Sequence, residues 1–406
     1  MVSHVRLATS DVLTIAPRGH SSGRIAIVAP PWIPIPPPAY GGIEQVVALQ
    51  ARVLADSGYE VTLVAAPGSN IAGVHCVTPL DSLPAYVGER DAEWHYLLAI
   101  DDLLDDHDLI IDHSGPLGAV LLGHRGVPVM HVTHGELHAA ATRIYEGLAK
   151  RSPSLRYVAI SEAQRSTAPT LPFAGVALNA LDTTHVPFSS HPDGYLAFLG
   201  RMAPEKGALE AIEIAQSSGR PIMLAAKCRE PAEIAYFERY IEPRLGDDVI
   251  WMGEIGEVAK YELLVGADAL VFPISWPEPF GMVMIEAMAC GTPVLATPRG
   301  AVPEVVIDGR TGFIAADLNE LADAVSRLGE IDRVACRDHV EREFGPTRFA
   351  QRWERLIHSY MPTRSHGQRR HLEQITGPES TRGTNLRRPF IDSSVVASCS
   401  ANEPTA

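Results

Sequence analysis

One stretch constrains this chain more than any other: Val271-Phe-Pro-Ile-Ser-Trp-Pro-Glu-Pro-Phe-Gly-Met-Val-Met-Ile-Glu286, continuing as Ala287-Met-Ala-Cys-Gly-Thr-Pro-Val294. It opens with a short apolar run, Ala269 to Phe272, that predicts a buried strand, and Pro277 and Pro279 then break the pattern. From Gly281 the residues are apolar nearly all round, which predicts a buried helix stopped by Gly291, with a further strand starting at Pro293. The helix carries a single charge, Glu286, and Glu278 lies in the loop before it. A buried carboxylate costs several kcal/mol unless it is paired or hydrogen-bonded. By themselves the two glutamates fit a core network plus a solvated loop residue as well as they fit a ligand site. The helix start beside Phe280, Gly281 and Met282 offers free backbone N–H groups, a ready place for phosphate.

The same strand–turn–helix logic runs through the chain. Arg24 to Ala29 reads as a strand, a proline-rich loop (Pro30 to Pro38) follows, and a helix pattern begins at Ile43 and ends near Gly58, before a second strand at Val61 to Ala65. This is a βαβ unit whose glycine turn, Gly41-Gly42, stands where backbone can approach a ligand. Further strands are expected at Leu109–Asp112, Pro128–Thr133 and Tyr157–Ile160, and then at Tyr195–Gly200, Pro221–Ala226 and Val249–Met252. Leu321 to Leu328 and Arg348 to Tyr360 read as helices. Strands alternating with helices predict an α/β fold with doubly wound parallel sheets.

Composition excludes several classes. At 406 residues, with 46% apolar and 20% charged residues, the chain has room for roughly two domains. A net charge of −15 argues against nucleic acid and against strong membrane binding through a basic surface. The five cysteines are scattered without metal-ligand or redox spacing, so a reduced cytoplasmic location is expected. No apolar run approaches the ~20 residues of a membrane helix. Residues 1–23 lack a signal-peptide core and are expected to be a loose extension, and the polar residues 362–406 a disordered tail.

Two polar clusters need weighing. Asp106-His-Asp108 is a literal Asp-x-Asp, but its setting in the acidic run 101–108 reads as an acidic helix end before a strand. His131-Val-Thr-His134-Gly-Glu-Leu-His138 stands at a strand's carboxyl end, where ligands bind in such sheets. His131 lies inside the strand and no further ligand completes a metal set, so no metal site is expected. In the second half, Arg201 and Lys206 stand five apart at a strand-to-helix turn of an acidic protein, which points to a bound anion: arginine grips in two prongs and lysine as a point charge.

The wording of these motifs resembles glycosyltransferase family 4, retaining enzymes of the two-Rossmann-domain architecture called GT-B. Glu278-Pro-Phe-Gly-Met-Val-Met-Ile-Glu286 is similar to its donor-site signature, Gly200-Arg201-x4-Lys206-Gly207 to its diphosphate clamp, and Pro-x-x-Tyr-Gly41-Gly42-x-Glu to its amino-terminal loop. Asn179-Ala-Leu-Asp182 resembles its hinge, with Ala180 in place of a glycine, and Ser161-Glu162 its acceptor-side segment. The resemblance covers about residues 24–361. It implies an acceptor domain at 24–190, a donor domain at 191–345, and a helix at 346–361 that returns to the first domain. It also implies that Gly41 and Gly42 face the donor diphosphate, that His134 touches the transferred sugar, and that Arg201 and Lys206 hold the leaving phosphates. The base would lie along Gly253 and Ile255, and the donor site would be completed by Glu278 at the sugar, the Phe280-Gly281-Met282 turn, and Glu286 at the ribose. Trp251 fits the core as well as the site.

The implied activity is transfer of a hexose from a UDP-, GDP- or similar nucleotide sugar to a small-molecule or saccharide hydroxyl, with no metal and no other cofactor. A nucleotide-sugar 2-epimerase of similar architecture and a non-catalytic sugar-nucleotide binding protein remain alternatives. Residues 24–190 hold 9 Arg+Lys against 17 Asp+Glu, which favours a small soluble acceptor over one embedded in anionic lipid.

Overall fold

The computed structural model describes residues 22–38, 41–100 and 103–361. The expected tail at 362–406 and nearly all of the expected extension lie outside these residues, as do Ala39, Tyr40, Asp101 and Asp102.

The first sheet comprises β1 Arg24–Val28, β2 Glu60–Val64, β3 His75–Val77, β4 Leu109–Asp112, β5 Val129–Thr133, β6 Leu155–Ala159 and β7 Phe173–Val176. Their spatial order is β3-β2-β1-β4-β5-β6-β7, all parallel. The second comprises β8 Tyr195–Arg201, β9 Ile222–Lys227, β10 Val249–Gly253, β11 Ala267–Phe272, β12 Val294–Ala296 and β13 Gly312–Ile314, in the order β10-β9-β8-β11-β12-β13, again parallel. In each sheet the order reverses at its first strand, β1 or β8. Two Rossmann-like sheets of this kind are the expected doubly wound GT-B architecture, and such reversals leave a crevice at the strands' carboxyl ends.

Burial explains why these segments are strands. β4 and β5 are buried along their whole length, as is β11, so both faces are covered and the runs are largely apolar, with Asp112, His131 and Asp268 as exceptions. The helix Gly42–Asp56 buries Val46, Val47, Val53 and Leu54 on one face. The last helix, Pro346–Tyr360, buries Phe349, Trp353, Leu356 and Ile357 and packs against Gly42–Asp56 and β7. It begins two residues before the expected Arg348 because Pro346 is pre-set for the first helical turn. The helix expected at Leu321–Leu328 runs instead over Leu318–Val325. Its start moves forward because the Asp317 side chain accepts from Asn319 N at 2.7 Å, an N-cap that apolar spacing does not reveal.

The two halves touch through specific bonds. Glu304, beyond β12, accepts from the backbone N–H groups of Glu162 at 2.8 Å and Ala163 at 2.6 Å, at the start of the helix Glu162–Thr167. Arg52 donates to Asp182 at 2.5 Å, anchoring the connection between the halves to the first helix. No helix among the described residues is long and apolar enough to cross a membrane.

Candidate active site

A cleft of about 1140 Å³ lies between the halves, at the carboxyl ends of the strands. Its walls hold Gly41, Gly42 and His134 from the first half and Arg201, Lys206, Ile255, Glu278, Phe280, Gly281, Met282 and Glu286 from the second. Of the expected site residues only Gly253 is missing from these walls. It ends β10 with φ +75°, a turn that carries Glu254 and Ile255 to the cleft in its place. Gly42 faces across the cleft: a Cβ built there would lie 3.9 Å from Met282 Cγ.

The loop after β11 holds Glu278 in place by backbone. Its carbonyl accepts from Ala301 N at 2.9 Å, and its own N–H donates to Trp276 at 2.9 Å. The helix Met282–Ala289 follows, with Gly281 at φ +80° as its N-cap. Glu278 is 8% exposed, so it is not a solvated loop residue. Its Oε2 accepts from Lys206 Nζ at 2.6 Å, and that ammonium also lies 4.4 Å from the centroid of the Trp276 ring. Lys206 stands in the single turn Pro204–Lys206 after β8, and Arg201 ends that strand.

Glu286 already has a protein partner: Lys260 Nζ donates to Oε1 at 2.7 Å, and both residues line the cleft. The sequence alone leaves this partner open between the ribose that the resemblance implies and a core network. Lys260 was not singled out because it reads as an ordinary surface lysine on the helix Glu257–Gly266. Only packing of that helix against Met282–Ala289 brings it to Glu286.

The same pairing recurs along the second half's wall. Arg201 meets Glu205 at 3.0 Å, Lys227 meets Glu230 at 2.6 Å, and Arg229 meets Glu254 at 2.6 Å. Each cation thus has a carboxylate to exchange for an anionic ligand.

The first half contributes histidines. Gln50 Oε1 accepts from His113 Nε2 at 2.7 Å, which leaves His113 Nδ1 to accept from His134 Nε2 at 2.8 Å. In this arrangement His134 Nδ1 is left unprotonated. Burial, and next the neighbouring His131, push the His134 pKa down to about 4. Burial holds His113 well below the usual imidazole range, so both rings are neutral at pH 7. His131 is bound separately, to Asp112 at 2.6 Å, with Tyr145 O–H 3.4 Å from its other nitrogen. Sequence reasoning missed Gln50, Asp112 and His113. The available signal was that Asp112 and His113 are polar residues directly at the end of a buried parallel strand.

Other candidates fall away from the cleft. His138 caps the helix Ala139–Ala149, accepting from Ala141 N at 3.3 Å. Ser161 is fully buried and caps the helix Glu162–Thr167, accepting from Gln164 N at 3.0 Å. Trp251 packs on Phe237, ring centroids 4.9 Å apart, as part of the core. Asp108 Oδ2 accepts from Arg24 N at 2.9 Å. Among the described residues no three His, Cys, Asp or Glu side chains converge as a metal site.

Two family profiles match this chain: "Glycosyltransferase Family 4" over residues 40–174 and "Glycosyl transferases group 1" over residues 193–330. Together they take in more than half of its length. The chain belongs to glycosyltransferase family 4. Among family relatives, the alpha-maltose-1-phosphate synthase of Mycolicibacterium smegmatis is 32% identical over 160 residues, which is 37% of this chain and 41% of that protein. The match therefore spans about two fifths of that relative. Solved structures share the family's GT-B fold. AviGT4, a glycosyltransferase involved in avilamycin A biosynthesis, superposes with TM-score 0.61 at 24% identity, covering 83% of this chain and 98% of that one. Anabaena Alr3699/HepE in complex with UDP-glucose superposes with TM-score 0.63 at 18% identity, covering 83% of this chain and 100% of that one.

Proposed function

We propose that this family 4 protein is a retaining glycosyltransferase that moves a hexosyl group from a nucleotide-diphosphate sugar to an acceptor hydroxyl without a metal ion. The observation that carries the reading is convergence. His134, Arg201, Lys206, Glu278 and Glu286 span more than 150 positions of sequence and line one cleft between two Rossmann-like halves. UDP-hexoses are the first donors to try, since a structural neighbour binds UDP-glucose. Four described cysteines are free, in keeping with a cytoplasmic site of action.

In the proposed reaction the donor's diphosphate takes the place of the carboxylates now paired with Arg201 and Lys206. The bond between the anomeric carbon and the phosphate oxygen breaks, and the two cations stabilise the negative charge that gathers on the leaving diphosphate. The acceptor oxygen bonds to the anomeric carbon on the same face, and its proton passes to the departing phosphate oxygen. Glu278, released from Lys206, accepts from the sugar's hydroxyls. His134 presents a neutral ring to the sugar. Glu286 meets the ribose hydroxyls once Lys260 yields. No carboxylate is assigned as the nucleophile that retaining hydrolases use.

Incubation with a panel of nucleotide sugars, read as nucleotide release with and without acceptor alcohols, tests this. Acceptor-dependent release of nucleoside diphosphate with a new α-glycoside is expected from an α-linked donor. A new nucleotide sugar formed without acceptor identifies an epimerase, and binding without turnover identifies a binding protein.

A further inference from the structure

The cleft is electrically lopsided. Its lysines and arginines, Arg201, Lys206, Lys227, Arg229 and Lys260, all come from the second half. Among the described residues, the walls contributed before residue 190 contain no lysine or arginine, and they carry two carboxylates, Glu44 and Glu136. Glu44 is 5% exposed and has no cationic partner among the described residues; burial raises its pKa. The histidines His113 and His134 are neutral and supply no compensating charge.

What this half presents instead is apolar. Trp32, Ile33, Val87, Leu137 and Ile144 line the cleft, and Val87 and Ile144 are 68% and 55% exposed, so they stand uncovered at its wall. The helix Ala139–Ala149 shows how the charge is turned away. Ala141, Ile144 and Tyr145 line the cleft at positions i, i+3 and i+4, which share one helical face. Arg143 and Lys150 lie roughly 150–175° of helical rotation from the centre of that face and are not part of the wall. An anion brought to this half would meet Glu44 and Glu136 in a partly dry crevice with no lysine or arginine of the same half beside it. An apolar surface would cover Val87 and Ile144 favourably.

We propose that the acceptor is an uncharged molecule presenting an apolar face beside its nucleophilic hydroxyl, not a phosphorylated or carboxylated one. This rests on the glycosyltransferase reading, which makes the second half's cations the donor side. The test is calorimetric binding of phenyl β-D-glucopyranoside, methyl β-D-glucopyranoside and glucose 1-phosphate, with UDP present, to the wild type and to Ile144→Lys. The phenyl glycoside is expected to bind at least tenfold more tightly than either other probe, and Ile144→Lys is expected to cut that preference at least fivefold. Glucose 1-phosphate binding as tightly as the phenyl glycoside overturns the proposal. So does a phenyl-over-methyl gain below threefold, or a gain that survives in Ile144→Lys. UDP and GDP titrated alone report on the donor site: if neither binds while the phenyl preference holds, the glycosyltransferase reading fails and the apolar subsite stands.

Discussion

Lys206 Nζ lies 2.6 Å from Glu278 Oε2 across 72 positions of sequence, and both side chains are largely buried in the wall of the cleft. A pair like this has two duties. It keeps two charges satisfied within the protein, and in the proposed reaction it opens so that the donor's phosphate and sugar take one partner each.

The pair makes Lys206 and Arg201 separable by mutation. Either alanine variant removes a charge-assisted bond to the leaving diphosphate, about 1.5–3 kcal/mol, or roughly 10- to 150-fold in kcat/KM. Lys206→Ala additionally leaves Glu278 without its cation, so it should melt several degrees early, whereas Arg201, more than a third exposed, should not. Steady-state kinetics and thermal melts read the two effects independently. Donor turnover within twofold of wild type for both variants removes these residues from the phosphate site.

Glu286→Gln keeps shape and removes charge. Lys260 then faces a neutral amide, so the melting temperature should fall, by about 2–4 °C for each kcal/mol lost. Nucleoside diphosphate should also bind roughly tenfold more weakly, because the ribose loses a charged acceptor. Glu278→Gln should bind free nucleoside diphosphate normally and transfer poorly. A Glu286→Gln protein that melts early but binds nucleotide like wild type shows that this carboxylate serves Lys260 alone.

The histidine chain predicts a pH dependence. Unfolded histidine takes a proton near pH 6.5, while folded His134 does so only near 4, and burial holds His113 well below its usual range. Between those values the unfolded state binds more protons. Stability is therefore complete above about pH 6.5 and declines as pH falls toward 4. Urea midpoints at pH 7.5 and 5 should show the drop, and His113→Leu should flatten it while lowering kcat about 2- to 10-fold through loss of one orienting hydrogen bond. An identical pH slope in His113→Leu would assign the drop to other groups.

Gly300→Ala should be costly although it lies in a loop. Gly300 has φ +55°, and a Cβ there would collide with the backbone of Glu278. The substitution therefore displaces the loop that aims Glu278, and both stability and turnover should fall. Turnover equal to wild type, measured beside a thermal melt, would show that the loop position does not control the carboxylate.

The sequence by itself determined the alternation of strand and helix, the two sheets, and the positions of the clefted turns, because short fully apolar runs and glycine turns are local signals. It also marked Glu278, Glu286, Arg201, Lys206 and His134 through motif wording. Tertiary structure decided what those charges touch. Lys260 reaches Glu286 only because two helices pack, and Gln50 reaches His113 because a helix from one βαβ unit lies over the end of β4. Helix starts set by a side-chain cap, as at Asp317, were illegible for the same reason: a hydrogen bond across two residues leaves no trace in apolar spacing. The one-sided charge of the cleft likewise belongs to the fold, since Arg143 sits beside Ile144 in sequence, yet about 100° further round the helix and outside the cleft wall.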